Sequence, residues 1–451
     1  MAILFFSCCR SEESKKVKTS VIAEAVTAFN EPYRPQFHFT PKEKWMNDPN
    51  GLVFYKGDYH LFYQYYPDDI VWGPMHWGHA ISKDMVHWQH KPIALYPDEN
   101  GLIFSGSAVI DFDNTSGFGT KENPPMVAIF TYHDMEGEKE GRLDFQTQGI
   151  AYSLDNGDTW KKFEGNPVLK NEEKIKDYRD PKVFWHEPSK QWVMLLVAGD
   201  RLMVYNSSDL KSWTYRSEFG SDVGAHGGVW ECPDVFPLMV DGEEKWVLLI
   251  SINPGGPNGG SATQYFVGDF DGKKFTSPQK EARWIDFGAD NYAGVTYNNA
   301  PNNQRIFIGW MSNWNYARNT PTKVWRSAMT LPRNLVLEKA KGEYFLKSYP
   351  LAQVDSIVES AAPEDIVVES SELFSYENLN QSEIKFTTDN RDFEMHLFNK
   401  VGDTLKLKIK GDKFYFDRTK SGLIDFEKSF GGTIHQMSID KLPMGETEFR
   451  M

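Results

Sequence analysis

From Phe37 onward the chain is written in short runs of alternating or continuous apolar and aromatic residues, each bounded by Gly, Pro, Asn or Asp. LVFY (52–55), YHLFYQYY (59–66), MVAIFTY (126–132), KVFW (182–185), QWVMLLVA (191–198), KWVLLIS (245–251) and RIFIGWM (305–311) show it best. Runs of this length and residue type, punctuated by turn formers, predict strands. The three-and-four spacing of an amphipathic helix is nearly absent. The pattern therefore predicts an all-β chain.

Two features recur along it. SKDMVHW (82–88), SLDNGDTW (153–160) and SSDLKSW (207–213) share Ser-x-Asp followed by Trp, and GDFDGKKF (268–275) is a degenerate fourth copy. Asp and Gly make the turn and the ring packs beneath the next strand. Polar clusters also recur, at Asp48, Ser105, Asp180, Glu231 and Asp290, with gaps of 57, 75, 51 and 59 residues. Each adjoins a strand-like run. A strand-built repeat of this size predicts a β-propeller with one sheet per repeat, here a five-bladed one over residues 34–335. The first strand of every blade lines the central channel, so clusters distant in sequence become neighbours at one end of the axis.

Past Pro332 the wording changes. A linker is expected over 336–365, then SEIKFTT (382–388), DFEMHLF (392–398), TLKLKIK (404–410) and KFYFDR (413–418) alternate with period two. These predict antiparallel strands with one wet face, read as a C-terminal β-sandwich over 366–451. The chain stops at TEFRM within an alternating run, and a strand cut there would leave the sandwich with an open edge.

Composition narrows the field. The chain has 451 residues, a length that calls for more than one core. Its net charge of −14 argues against a nucleic-acid partner, which would want a basic face. Aromatics reach 14%, enough to serve both strand cores and the walls of a sugar pocket. Of three cysteines only Cys232 lies in the body, so no disulfide joins the predicted blades. His76, His79, His87 and His90 sit among tryptophans without metal-ligand spacing and are read as packing residues. The start MAILFFSCCR followed by SEESKKVK resembles the end of a bacterial lipoprotein signal, which makes Cys8 or Cys9 a candidate lipid anchor and the cell surface or periplasm the expected location. Residues 1–33 are read as leader and linker, with one short helix at 21–27.

Three acids carry the chemistry. Asp48, Asp180 and Glu231 each stand beside a proline (Pro49, Pro181, and Pro233 two residues on). One such cluster is ordinary turn chemistry; three at blade spacing point to catalysis. Hydrolysis of a glycoside with retention uses one ionised carboxylate to attack the sugar and one protonated carboxyl to release the leaving oxygen, about 5–5.5 Å apart. Glu231, between Trp230 and Cys232, has the more apolar setting and suits the acid/base. Asp48, between Asn47 and Pro49 with Asn50 near, suits the nucleophile. Arg179 beside Asp180 is expected to hold that carboxylate charged, for stabilising a cationic transition state.

RPQFHFTPKEKWMNDPNG (34–51), FSGS (104–107), RDPKVFW (179–185) and WECPD (230–234) resemble, in order, the signature blocks of glycoside hydrolase family 32. The resemblance implies a five-bladed propeller followed by a β-sandwich, retaining hydrolysis of β-fructosides, and no metal or cofactor. It implies Asp48 as nucleophile, Asp180 as transition-state stabiliser and Glu231 as acid/base. It also implies Asn47, Gln64, Trp72, Phe104, Ser105, Arg179, Tyr292 and Trp310 as fructose-binding positions. Cys232 has no base attached in any cysteine-enzyme pattern, so it is read as tuning Glu231 and not as a nucleophile. The Gly-rich stretch 254–272 lacks the ending of a phosphate loop and is read as a turn near the pocket rim, worded more like exo-acting inulinases and levanases than invertases. An exo-fructanase that also takes sucrose is the expectation. An invertase or fructosyltransferase shares the same acids, and a non-catalytic sugar-binding propeller would be expected to lack one of them.

Overall fold

The computed structural model describes residues 29–359, 368–376, 379–388, 392–440 and 447–451. Cys8, Cys9 and the helix expected at 21–27 lie outside the described residues. Among those described, helix is confined to short pieces such as Met135–Lys139 and Lys428–Gly431.

Five sheets follow one another as blades. Their inner strands are Lys44–Tyr55, Leu102–Ile110, Tyr178–His186, Val229–Val240 and Tyr292–Thr296. Each inner strand pairs antiparallel with the strand that follows it. The second strands are buried on both faces, which is why QWVMLLVA and KWVLLIS read as unbroken apolar runs. In Gln191–Ala198, Met194 and Leu196 face the seam with blade two, while Val193, Leu195 and Val197 face the seam with blade four. In Glu243–Asn253, Leu248 and Ile250 turn to blade three, and Val247 and Leu249 to blade five. The core is thus five separate seams, the one between blades five and one built on Trp45, Leu61, Tyr292 and Trp310.

The Ser-x-Asp repeat forms the same turn in three blades. Asp84 accepts from the N–H of Val86 and His87, Asp155 from Thr159 and Asp209 from Lys211 and Ser212. In the fourth copy Asp271 accepts from Lys273 and Lys274. The stretch expected as a linker over 336–365 begins instead as paired strand. Arg333–Ala340 and Glu343–Pro350 are the last two strands of blade five, joined by a hairpin turn at Lys341 (φ 51°) and Gly342 (φ 80°). Its exposed face is polar, which hides Leu335, Leu337 and Leu346 in the seam with blade four.

The ring is closed by residues from the far end of the propeller. Trp325–Arg326 runs parallel to Lys44–Trp45 at the inner edge of blade one, and Met329 N–H donates to Phe39 O at 2.8 Å. Deeper on the axis Asn298 joins four blades. Its backbone bonds Leu52 and Phe54, and its Nδ2 donates to Ala108 O at 2.7 Å and Val183 O at 3.1 Å.

Beyond the propeller lies a small β-sandwich. Asp392–Phe398, Thr404–Lys410, Lys413–Lys420 and His435–Ser438 form one sheet, and Lys385–Thr388 pairs with Thr447–Arg450 in the other. Phe386, Phe393, Phe414 and Phe449 pack between them.

Candidate active site

Every inner strand carries a bulge at the same level. Two residues oppose one at Asn47–Asp48, Phe104–Ser105, Asp180–Pro181, Cys232–Pro233 and Ala293–Gly294. A bulge re-aims side chains and relieves the need for a ladder N–H, so Pro181 and Pro233 fit inside strands that would otherwise reject them. The kink takes Asp180 (φ 64°), Cys232 (φ 45°) and Ala293 (φ 53°) into the left-handed region. Gly106 is required for closeness, since a Cβ there would lie 2.1 Å from Ile129 O.

The bulges turn the three acids toward one another. Asp48 accepts from Ser105 Oγ at 2.6 Å and from Asn47 Nδ2 at 2.9 Å, and Asn47 is itself held by Trp45 Nε1 at 2.7 Å. Asp180 accepts from Cys232 N–H at 3.0 Å, while its own N–H donates to Thr131 Oγ1 at 3.0 Å. Glu231 accepts from Arg179 Nη2 at 3.0 Å and from Tyr292 Oη. Cys232 Sγ lies 3.6 Å from Asp48 Oδ2 and 3.7 Å from Asp180 Oδ2. A narrow cavity beneath is lined by Asn50, Ser105, Asp180, Lys182, Cys232 and Val295.

Burial and crowding set the electrostatics. Burial pushes the Asp48 carboxyl up, the charge of Glu231 adds to this, and the bonds from Ser105, Asn47 and Cys232 oppose it. Burial likewise raises Asp180, against Arg179, with Glu231 and Asp48 pushing the same way, to about 7. The Cys232 thiol is driven well up, first by burial and then by Asp180 and Asp48, so it stays an S–H donor and not a nucleophile.

Arg179 is expected to hold Asp180 charged, and from 3.9 Å it does lower that carboxyl's pKa against burial; its guanidinium also bonds Glu231, and Asp177 at 2.6 Å. Cys232, expected at Glu231, instead bridges Asp48 and Asp180, because bulge residues and their paired neighbours point differently. The fifth polar cluster also divides. Tyr292 enters the site, while Asp290 bonds Arg418 and Tyr316 outside it.

The other expected positions gather around the acids. Trp72 meets Phe104 edge to face at 6.0 Å, and Phe104 stacks on His133 at 4.2 Å. Gln64 Nε2 and Trp310 Nε1 are buried donors without a hydrogen-bond partner among the described residues. Asp177, Thr131, His133 and Trp314, which stacks on Trp45 at 6.0 Å, support the site without being singled out in the sequence, although Asp177 stands two residues before the RDP block and Trp314 three after RIFIGWM. At the rim, Gly199, Asp200, Gly227, Val229 and Asn253 border an open depression that also takes in Pro254 of the Gly-rich stretch.

Residues 38–350 match the family model for the glycosyl hydrolases family 32 N-terminal domain. The chain belongs to glycoside hydrolase family 32. Among its relatives in the family, the levanase of Bacillus subtilis is 54% identical over 73% of this chain, which spans 48% of that protein. The extracellular exo-inulinase of Aspergillus niger is 39% identical over 93% of this chain and 86% of that protein. The crystal structure of the exo-inulinase from Aspergillus awamori superposes with a TM-score of 0.79 at 34% identity, covering 94% of this chain and 89% of that one. The family's propeller and sandwich are the two units described above.

Proposed function

We propose that the protein is a retaining exo-β-fructosidase that releases terminal fructose from levan and inulin, and from sucrose. The observation that carries this is the convergence of Asp48, Asp180 and Glu231 from three bulged strands, each carboxylate held by a different set of donors. Relatives named as levanase and exo-inulinase support the substrate class.

In this reading Asp48 is the nucleophile. Ser105 and Asn47 hold its two oxygens, so one face of the carboxylate is presented in a fixed direction and its ionised form is favoured against burial. It attacks the anomeric carbon of the fructosyl unit as Glu231 gives a proton to the departing oxygen. The ester formed on Asp48 is then opened by water, with Glu231 taking the water's proton and Asp48 leaving as carboxylate. Tyr292 and Arg179 fix the Glu231 carboxyl on two sides. Asp180 faces the sugar hydroxyls and accepts from them in the transition state. Gln64, Trp72, Phe104 and Trp310 supply donors and walls for a single fructose ring.

We infer export from the extracellular naming of the exo-inulinase relatives, with Cys8 or Cys9 as the lipid attachment, which metabolic labelling with a radioactive fatty acid tests.

The deciding experiment is product release from levan, inulin and sucrose by the purified chain beside Glu231→Gln. Free fructose from a polymer, lost in the variant, supports the reading. Cleavage of sucrose alone reduces it to an invertase. Oligosaccharide growth from sucrose makes the protein a fructosyltransferase. No cleavage by folded protein removes the enzymatic reading and leaves the sugar-binding one.

A further inference from the structure

The sandwich meets the propeller through exposed bonds at Asn258–Gln436, Asn319–Glu427 and Asn315–Ser429, and through Arg418, which is buried. The Arg418 guanidinium lies 3.9 Å from the Phe430 ring centroid and 5.3 Å from that of Tyr316. Its Nη1 donates to Asp290 Oδ2 at 2.8 Å and its Nη2 to Tyr316 Oη at 3.0 Å. Tyr316 Oη in turn donates to Asp290 Oδ1 at 2.5 Å. Both oxygens of Asp290 are therefore clamped, one by the sandwich and one by a propeller residue that the sandwich braces.

Asp290 stands two residues before Tyr292, whose hydroxyl donates to Glu231. On the far side Ala293 N–H is fixed to Ser251 Oγ of blade four at 3.1 Å. The segment 290–293 is thus pinned at both ends, and Tyr292 lies between the pins. With φ of 53° at Ala293 the backbone there is held by its neighbours and not by its own preference. Release at Asp290 lets the strand start relax and swings the ring that sits on the acid.

We propose that Arg418, a residue of the sandwich, is a positioning residue of the fructosidase site, acting through Asp290 to keep Tyr292 on Glu231. This rests on the fructosidase reading. A wild-type chain that cleaves no fructoside refutes that reading, whereas an active wild type with an unaffected Arg418 variant refutes only the present inference.

The test is steady-state kinetics of Arg418→Met on sucrose and levan, in the wild-type and Tyr292→Phe backgrounds. A misaimed Tyr292 lowers kcat about tenfold and leaves KM within about twofold, as expected for an interaction needed in the transition state more than in binding. Arg418→Lys, which keeps a charge on Asp290, restores most of the loss. In the Tyr292→Phe background Arg418→Met costs less than about twofold, since both changes remove the same contact. Glu427→Gln and Ser429→Ala, which weaken docking elsewhere, leave kcat unchanged. An unchanged kcat in Arg418→Met, additive losses with Tyr292→Phe, or an equal fall in Glu427→Gln overturns the proposal. If Arg418→Met does not fold, Asp290→Asn is put through the same cycle and is judged by the same non-additivity.

Discussion

Asp180 is held in a site that works against its own charge, so replacing it by a neutral isostere is expected to stabilise the fold. Its ordinary pKa of 3.8 rises to about 7 in the folded chain, and the residue is only 5% exposed. An acid with a raised folded pKa binds its proton more tightly when folded. Its contribution to stability is therefore unfavourable above the unfolded value, growing from pH 3.8 toward 7 and level beyond. At about 1.4 kcal/mol per unit, the roughly three units correspond to about 4 kcal/mol at pH 8. Asp180→Asn keeps an oxygen to accept from Cys232 N–H and removes the charge, so it should recover most of that amount. For a chain of this size, at about 2 cal/mol/K of unfolding entropy per residue, the gain corresponds to a rise in Tm of about 4 °C. Calorimetry or urea unfolding at pH 8 and pH 4 measures it, with the gain at pH 4 close to zero. Activity should fall by orders of magnitude in the same variant, a trade of stability for function. A variant less stable than wild type at pH 8, or equally stabilised at both pH values, would refute the argument that burial and like charge dominate at this position.

Asp48→Ala and Glu231→Ala should each lose orders of magnitude in kcat, and Asp48→Ala should form no covalent fructosyl intermediate by mass spectrometry of quenched reactions. Ser105→Ala removes a 2.6 Å donor from Asp48. Because that bond lowers the Asp48 pKa, its loss should move the acid limb of the kcat/KM profile to higher pH, while an unmoved limb would exclude Asp48 as the ionised group. Asn298→Ala strands the carbonyls of Ala108 and Val183 on the axis and should cost about 2–4 kcal/mol in urea unfolding, with kcat of the folded fraction little changed.

The sequence made the blades legible because each begins with a chemically marked strand. Alternation and turn residues are local, and so are the Ser-x-Asp turns. The three acids were legible for a related reason. A proline within a strand run is tolerated at a bulge, so Asp48-Pro49, Asp180-Pro181 and Cys232-Pro233 flag the very positions that bend. What the sequence could not convey was the direction of each side chain across a bulge, which depends on the partner strand's register. Cys232, expected at Glu231, stands between Asp48 and Asp180 for that reason. The end of blade five was missed because its hairpin buries Leu335, Leu337 and Leu346 against blade four, more than 85 residues upstream at Val247, a pairing that no local pattern encodes. Asp290 kept the period of the acids yet was recruited by Arg418, a contact that exists only once both units are present.

The ring closure gives the molecule an order of birth. Lys44 N–H bonds Val324 O at 2.8 Å, so the first blade to leave the ribosome waits for a segment made some 280 residues later before its inner edge is covered. At a synthesis rate of about 5–20 residues per second, that is an interval of roughly 14–56 seconds. Through all of it the strand bearing Asp48 is an unpaired edge, and such an edge can join another chain as readily as its own. The acids come from blades one, three and four, and Tyr292, which donates to Glu231, from blade five, so the site is complete only once the last blade has been made. The same lock that makes the site permanent makes its assembly late, and the most vulnerable moment of this protein precedes its first turnover.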